Sequence, residues 1–518
     1  MDTVAEEPPK KRKFRLKMPG AFTILFILTV VSVILTWFIP AGSYAKLSYD
    51  SSDHCLQVVS PSGHKQLVPA TQAELDKLNV KIKINQFTSG AINKPVSVPN
   101  TYKREKQHPA GISDITTSMV NGTINAVDIM VFILVLGGLI GVVKESGAFE
   151  SGLSALTKKT KGKEFLLIFL VAILMLLGGT LCGIEEEAIA FYPILVPVFI
   201  AMGYDSIVSV GAIFLASSVG TTFSTINPFS SVIASNAAGT TFTQGLPMRI
   251  IGCAIAGIFL ISYLYWYSRR VKKNPELSYS YSDHVAFDQK WSVKSDDNVG
   301  KKFSIKKKII LILFVAAFPI MIWGVMVKGW WFPTMASSFL AIAIIIMFMV
   351  CFGKEGIGEK RTIDAFTNGA SSLVGVSLII GLARGINLIL NNGLISDTIL
   401  HFLSSLVKGM NGPIFIIIMM FIFFILGFIV PSSSGLAVLA MPILAPLADT
   451  VNIPRYIVVM AYQFGQYAML FLAPTGLVMA TLQMLDVKYS HWLRFVWPVV
   501  LFVLIFGGGL LVTAVLMS

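Results

Sequence analysis

Three adjacent carboxylates, Glu185, Glu186 and Glu187, stand in the middle of an apolar stretch of a 518-residue chain. A charged side chain at the centre of a membrane helix costs about 2.5–3.5 kcal/mol even on a lenient insertion scale. Three neighbours cannot all be ionised cheaply, so the cluster calls for a cation or a proton to neutralise at least one of them. The start of the helix that follows offsets part of the charge. The functional reading is a site for a substrate cation or coupling cation; the structural one is a shallow, solvated or capping cluster. A second polar group, Ser432, Ser433 and Ser434, precedes Gly435 in another apolar stretch. Such hydroxyls serve as helix caps, and with free N–H groups at a helix start they also suit an anion. Arg384, in Gly381-Leu-Ala-Arg-Gly385, lies inside a third apolar stretch. It can snorkel or form a structural ion pair, or hold a carboxylate bidentately.

Two breaks complete the constellation. Asn227 closes Ser224-Thr-Ile-Asn-Pro228, and Thr475 lies in Ala473-Pro-Thr-Gly476. Freed carbonyls at such breaks suit a substrate or Na⁺. Gln463 and Gln466 share one face of the stretch before the second break, and Gln466 joins the expected binding set. Asp128 is expected at a wetted outer edge, and Arg249, Lys328 and Arg494 as anchors at membrane edges. No HExxH motif and no His or Cys nucleophile pair occurs in the apolar segments, so no enzyme, metal centre or cofactor is expected. The coupling ion, if one is used, is expected to be Na⁺ or H⁺.

The elements that must position these residues belong to a polytopic membrane protein. Hydrophobic residues make up 54% of the chain, charged residues 13%, and mean hydropathy is +0.73. The net charge of +13 sits mostly in loops and the N-terminal tail, which reads as topology signal and not as nucleic-acid binding. Four scattered cysteines (Cys55, Cys182, Cys253, Cys351) exclude a disulfide framework. Apolar runs near 21–40, 124–143, 246–268, 307–327, 332–352, 370–392 and 489–515 can each cross a core of roughly 30 Å. The runs 206–237 and 455–485 also cross, with polar breaks inside them. The runs 164–202 and 413–449 are read as re-entrant hairpins whose tips are the Glu and Ser clusters.

The halves repeat. Pro193 and Pro197 match Pro442 and Pro446 at an offset of 249, and Asn121-Gly122 matches Asn368-Gly369 at 247. With Lys158–Lys163, Arg269–Lys273, Lys306–Lys308 and Lys354–Arg361 inside, the two hairpins open to opposite sides, as an inverted pair should. The expected layout is a cytoplasmic basic tail (1–20), a first transmembrane helix (21–42) and an extracellular insertion (43–112), then a first repeat (113–268). A cytoplasmic linker (269–305), scaffold helices (306–352) and a second repeat (353–518) follow. The insertion is a β-like cap or a loop, with strand-like alternation at Val80-Lys-Ile-Lys-Ile84. The fold expected is an all-α polytopic membrane protein with about nine spans and two hairpins.

Several motifs resemble those of YfcC-type proteins of the C4-dicarboxylate anaerobic carrier family, in the wider ion transporter superfamily. They are Ile39-Pro-Ala-Gly42, Gly183-x-x-Glu-Glu187, Gly203-Tyr-Asp-Ser206, Asn227-Pro-Phe229, Val271-Lys-Lys-Asn-Pro275, Gly381-Leu-Ala-Arg-Gly385, Ser432-x-Ser-Gly435 and Phe464-Gly465. The resemblance implies a dimeric, elevator-type secondary carrier in the cell membrane. It implies basic amino acid transport, including arginine/ornithine exchange, while the family title names dicarboxylates. Glu185, where many relatives carry a small residue, adds negative charge and favours a cationic substrate. A Na⁺- or H⁺-coupled dicarboxylate or peptide carrier is the alternative; a channel is the rival of another class.

Overall fold

The computed structural model describes residues 20–88, 92, 95–149, 151–152, 164–291, 304–328, 330, 332–352, 356–407 and 409–518. The N-terminal basic tail and the Lys158–Lys163 cluster lie outside these residues. Among the described residues nine helices are long and apolar enough to cross a membrane, and the bent pair Arg455–Leu472 with Gly476–Met484 makes ten. Hairpin arms Glu164–Cys182 and Gly412–Ile429, and the segment Ser433–Val451, are among the nine, so length alone does not separate arm from span.

Packing sorts the helices into two bodies. In the first, Ile112–Ile124 lies along Val374–Asn392, and Glu359–Ser372 lies along Val127–Glu145. Helices Ala21–Phe38, Ile305–Lys328 and Phe332–Cys351 join them. Glycines permit both close approaches. A Cβ on Gly122 would lie 2.3 Å from the Gly385 nitrogen, and one on Gly369 would lie 2.3 Å from the Gly137 oxygen. Gly122 and Gly369 are the landmarks that repeat at an offset of 247. The second body holds the two tip-bearing segments and both broken helices. Glu164–Cys182 packs on Ser206–Thr222, Gly412–Ile429 packs on Arg455–Leu472, and Leu246–Lys273 and Tyr489–Leu516 close it.

Three helices escape the apolar-run reading: Ile112–Ile124, Glu359–Ser372 and Ile395–Ser405. The first two are too polar to register as spans but continue, across short breaks at Asn125–Ala126 and Leu373, into the runs that do. The insertion is a cap. Strands Lys65–Pro69, Cys55–Val59, Lys46–Asp50 and Val96–Ser97 form an antiparallel sheet in that order. The expected strand at Val80–Ile84 is corrected: its alternation buries Val80 and Ile82 in the cap core, but no strand pairs with it. The Gln72 side chain bonds this backbone instead, donating to Ile82 O at 3.2 Å and accepting from Ile84 N at 3.0 Å. The linker's described part ends in the helix His284–Trp291, which packs on Tyr192–Ala201.

Candidate functional site

The first tip is built by a glycine and an asparagine. Helix Glu164–Cys182 ends at Gly183, whose φ of +73° is open to glycine at little cost. A Cβ there would meet the Asn227 amide at 2.7 Å. Fully buried Asn227 ties the tip to the first helix break. Its Nδ2 donates to Gly179 O at 3.0 Å, while its Oδ1 accepts from Phe229 N and Ser230 N at 2.8 and 3.2 Å and so caps the helix that resumes. Ser217 donates to Ile184 O, and Thr180 Oγ1 accepts from Thr225 N at 3.1 Å. The carboxylates open a 3₁₀ turn, Glu186–Phe191, that runs into the helix Tyr192–Ala201. Glu187 is buried and accepts from Glu185 N at 3.2 Å; Glu185 and Glu186 are half-buried.

The second tip is simpler. Gly412–Ile429 ends, and Ser432 caps Ser433–Leu444 by accepting from Gly435 N at 3.2 Å. Thr475 caps Gly476–Met484 at the second break, accepting from Val478 N at 3.4 Å, where the chain bends by 42°. Two tyrosines of Arg455–Leu472 reach the two tips. Tyr462 donates to Ser433 O at 2.6 Å, and Tyr467 donates to Glu185 Oε2 at 3.4 Å.

One cavity of about 500 Å³ unites these parts. Glu185, Glu186, Glu187, Asn227, Arg384, Ser432, Ser433, Ser434 and Thr475 all line it. Gln466 does not: it is wholly buried between its own helix and Gly412–Ile429, against Gly427. One residue along a helix is a rotation of roughly 100°, which turns Tyr467 and not Gln466 toward the cavity. Asp128, expected at an outer edge, lines the cavity with Asn125 and Asn387. Phe214, Phe229, Phe332 and Phe471 supply aromatic surface. Asn387 is legible one helical turn after Arg384; nothing in the sequence singled out Asn125 or Tyr467. Arg384 Nη1 donates to Asn125 O at 2.6 Å, in the break between two scaffold helices. Arg249, expected as an edge anchor, is buried and donates to Ser231 and Phe242 O; it satisfies backbone near the first break.

The lining carries four carboxylates, Asp128 and the Glu triplet, and one guanidinium. Its acidic side can pair with a cation, and its opposite wall of hydroxyls, helix starts and Arg384 can hold a carboxylate. Apolar helices and a closed polar chamber between them define a multi-pass membrane protein of the transporter class. The chain matches the family model of the C4-dicarboxylate anaerobic carrier over residues 18–516, and it belongs to that family. A Haemophilus influenzae (strain Rd) protein whose name assigns no activity is 58% identical over 98% of both chains. YfcC of Escherichia coli (strain K12), whose name proposes a basic amino acid antiporter, is 31% identical over 95% of both. Among solved structures, the YdaH transporter of Alcanivorax borkumensis is 13% identical, with 96% of this chain and 98% of that one covered and a TM-score of 0.39. MtrF of Neisseria gonorrhoeae, described with a class of antimetabolite efflux pumps, is 15% identical over 97% and 96%, with a TM-score of 0.38. These overlays are loose, and nothing about this chain rests on them.

Proposed function

We propose that this protein is a secondary active transporter of basic amino acids that exchanges arginine for ornithine across the cell membrane. The observation that carries the reading is the cavity, where the Glu185–Glu187 tip and the Ser432–Ser434 tip share one chamber with Arg384. A zwitterion with a cationic side chain fits that lining at both ends. The guanidinium or amine meets the Glu cluster, and the α-carboxylate meets the Ser tip and Arg384. The aromatic wall adds cation–π attraction. The tips act as re-entrant hairpins, and their body moves against the scaffold as an elevator, alternating access to the two sides. The reciprocal glycine contacts at Gly122 and Gly369 support two halves related as an inverted repeat. Exchange needs no energy source beyond the two gradients.

A second reading is a Na⁺- or H⁺-coupled dicarboxylate carrier. Arg384 and the Ser tip favour it, as does the family's description. The excess of carboxylates in the same cavity disfavours a dianion. Counterflow in proteoliposomes separates the two. Internal ornithine is expected to drive uptake of labelled arginine; uptake driven by succinate instead would overturn the exchange reading.

A further inference from the structure

Arg384 sits in the substrate cavity but belongs to the other body. Its helix, Val374–Asn392, is locked to the scaffold by backbone contacts. A Cβ on Gly385 would lie 2.6 Å from Ser118 O, and one on Gly381 would lie 2.8 Å from Thr123 Cα. Its guanidinium is further held at the break of the partner helices by Asn125 O, 2.6 Å away. The Glu triplet rides on the tip-bearing body. Arg384 therefore cannot accompany the tips when that body moves. It meets them only while the body rests against the scaffold as it does here.

An empty cavity holds four carboxylates in an apolar setting, and moving them without a counter-charge incurs the penalty of a buried unpaired charge. One group on the static side can supply that counter-charge: the only guanidinium among the described lining residues. It is chemically the same group as an arginine side chain. We propose that Arg384 is a tethered stand-in for the cationic substrate. With the site empty, its guanidinium pairs with the Glu185–Glu187 cluster and pins the tip-bearing body to the scaffold. A bound cation takes over the carboxylates, Arg384 turns to the substrate carboxylate, and the body is released. Only the loaded carrier then crosses, and exchange is obligatory. This deepens the exchange reading above and rests on it.

The test reads pinning and transport separately. Spin labels at Val374→Cys on the scaffold and Ile414→Cys on the tip-bearing body, both exposed positions, report the distance between bodies once the four native cysteines are replaced. Substrate-free protein is expected to give one narrow distance. Arg384→Gln is expected to add a second population, grown at least about tenfold, the factor that one lost charge-assisted hydrogen bond corresponds to. Arg384→Lys, which keeps the charge, is expected to restore most of the narrow distribution. In proteoliposomes the Arg384→Gln variant is expected to release labelled arginine into substrate-free buffer about tenfold faster than the wild type. Two populations in the substrate-free wild type, or an Arg384→Gln distribution identical to the wild type, would overturn the stand-in while leaving arginine/ornithine exchange intact. If the wild type exchanges neither amino acid, the exchange reading fails, and the label distances alone still decide whether Arg384 pins the empty carrier.

Discussion

The two tips share a backbone plan and differ in chemistry. Each follows an apolar arm, each ends beside a polar break, and each leads into a helix with Pro-x-x-x-Pro in its sequence. The first presents three carboxylates and is tied down by Asn227, which makes three hydrogen bonds to it and to its own break. The second presents hydroxyls and is held mainly by its own cap and by Tyr462. The difference teaches a division of labour: one architecture, used twice, can read opposite ends of a zwitterion when only the tip side chains change.

The sharpest way to break the comparison is to neutralise the first tip. Glu186→Gln and Glu187→Gln are each expected to slow exchange by about 10- to 150-fold, the range for losing a charge-assisted hydrogen bond of roughly 1.5–3 kcal/mol. Folding should survive, because in the Glu187→Gln variant the side-chain amide oxygen can still accept from Glu185 N. Size-exclusion profiles and initial exchange rates check both halves of the statement. Arg384→Lys acts on the opposite end. It is expected to weaken every α-carboxylate substrate by about tenfold together, since Lys loses the bidentate fork. Competition by a set of amino acids that share the α-carboxylate but differ in side chain reads whether the loss is uniform.

Packing behind the tips differs as well. In the first half a Cβ on Gly179 or Gly220 would lie 1.9 Å from Ser217 O or 2.1 Å from Leu176 O. In the second half Gly465 is as tight, 2.1 Å from Met420 O, but the nearest atom to a Cβ on Gly427 is 3.0 Å away. Gly465→Ala is expected to lower stability by about 1–3 kcal/mol as an overpacked contact, and Gly427→Ala by less. Thermal unfolding midpoints of the two variants, measured side by side, rank them.

The smallest effect lies in the linker. Burial alone would push the Asp283 carboxyl up, but hydrogen bonds from Lys488 and Ser282 and the charges of His491 and Lys488 outweigh it and hold it below the usual carboxylate range. A depressed folded-state value contributes stability above the unfolded carboxylate range and loses it as pH falls through the folded value. The wild type is therefore expected to lose this contribution only in acid, below about pH 4. Lys488→Ala should flatten that acid limb in melting curves taken from neutral pH downward.

Much of the site was legible because buried charge in apolar sequence is rare enough to stand out. The Glu triplet, Arg384, the Ser tip and both breaks all line the cavity, and the repeated glycines mark where helices cross closely. What escaped has physical reasons. Helices Ile112–Ile124 and Glu359–Ser372 carry too many polar residues for a hydropathy window. Gln466 and Tyr467 differ by one residue, a rotation that no composition argument resolves. Arg249 and Asp128 were read from distance to a membrane edge, whereas helix breaks offered them carbonyls and a wet chamber. The Val80–Ile84 alternation was a true burial pattern without a pairing partner.

Competition for labelled arginine uptake by unlabelled arginine, citrulline and succinate tests the central claim most directly. Citrulline has the shape of arginine without its charge, and succinate has two carboxylates without a cation. A cavity that reads a cationic side chain through the Glu tip predicts that arginine competes more than tenfold better than citrulline, a margin set by one charge-assisted hydrogen bond. It also predicts that succinate barely competes. Citrulline competing as well as arginine, or succinate better than both, would contradict the account.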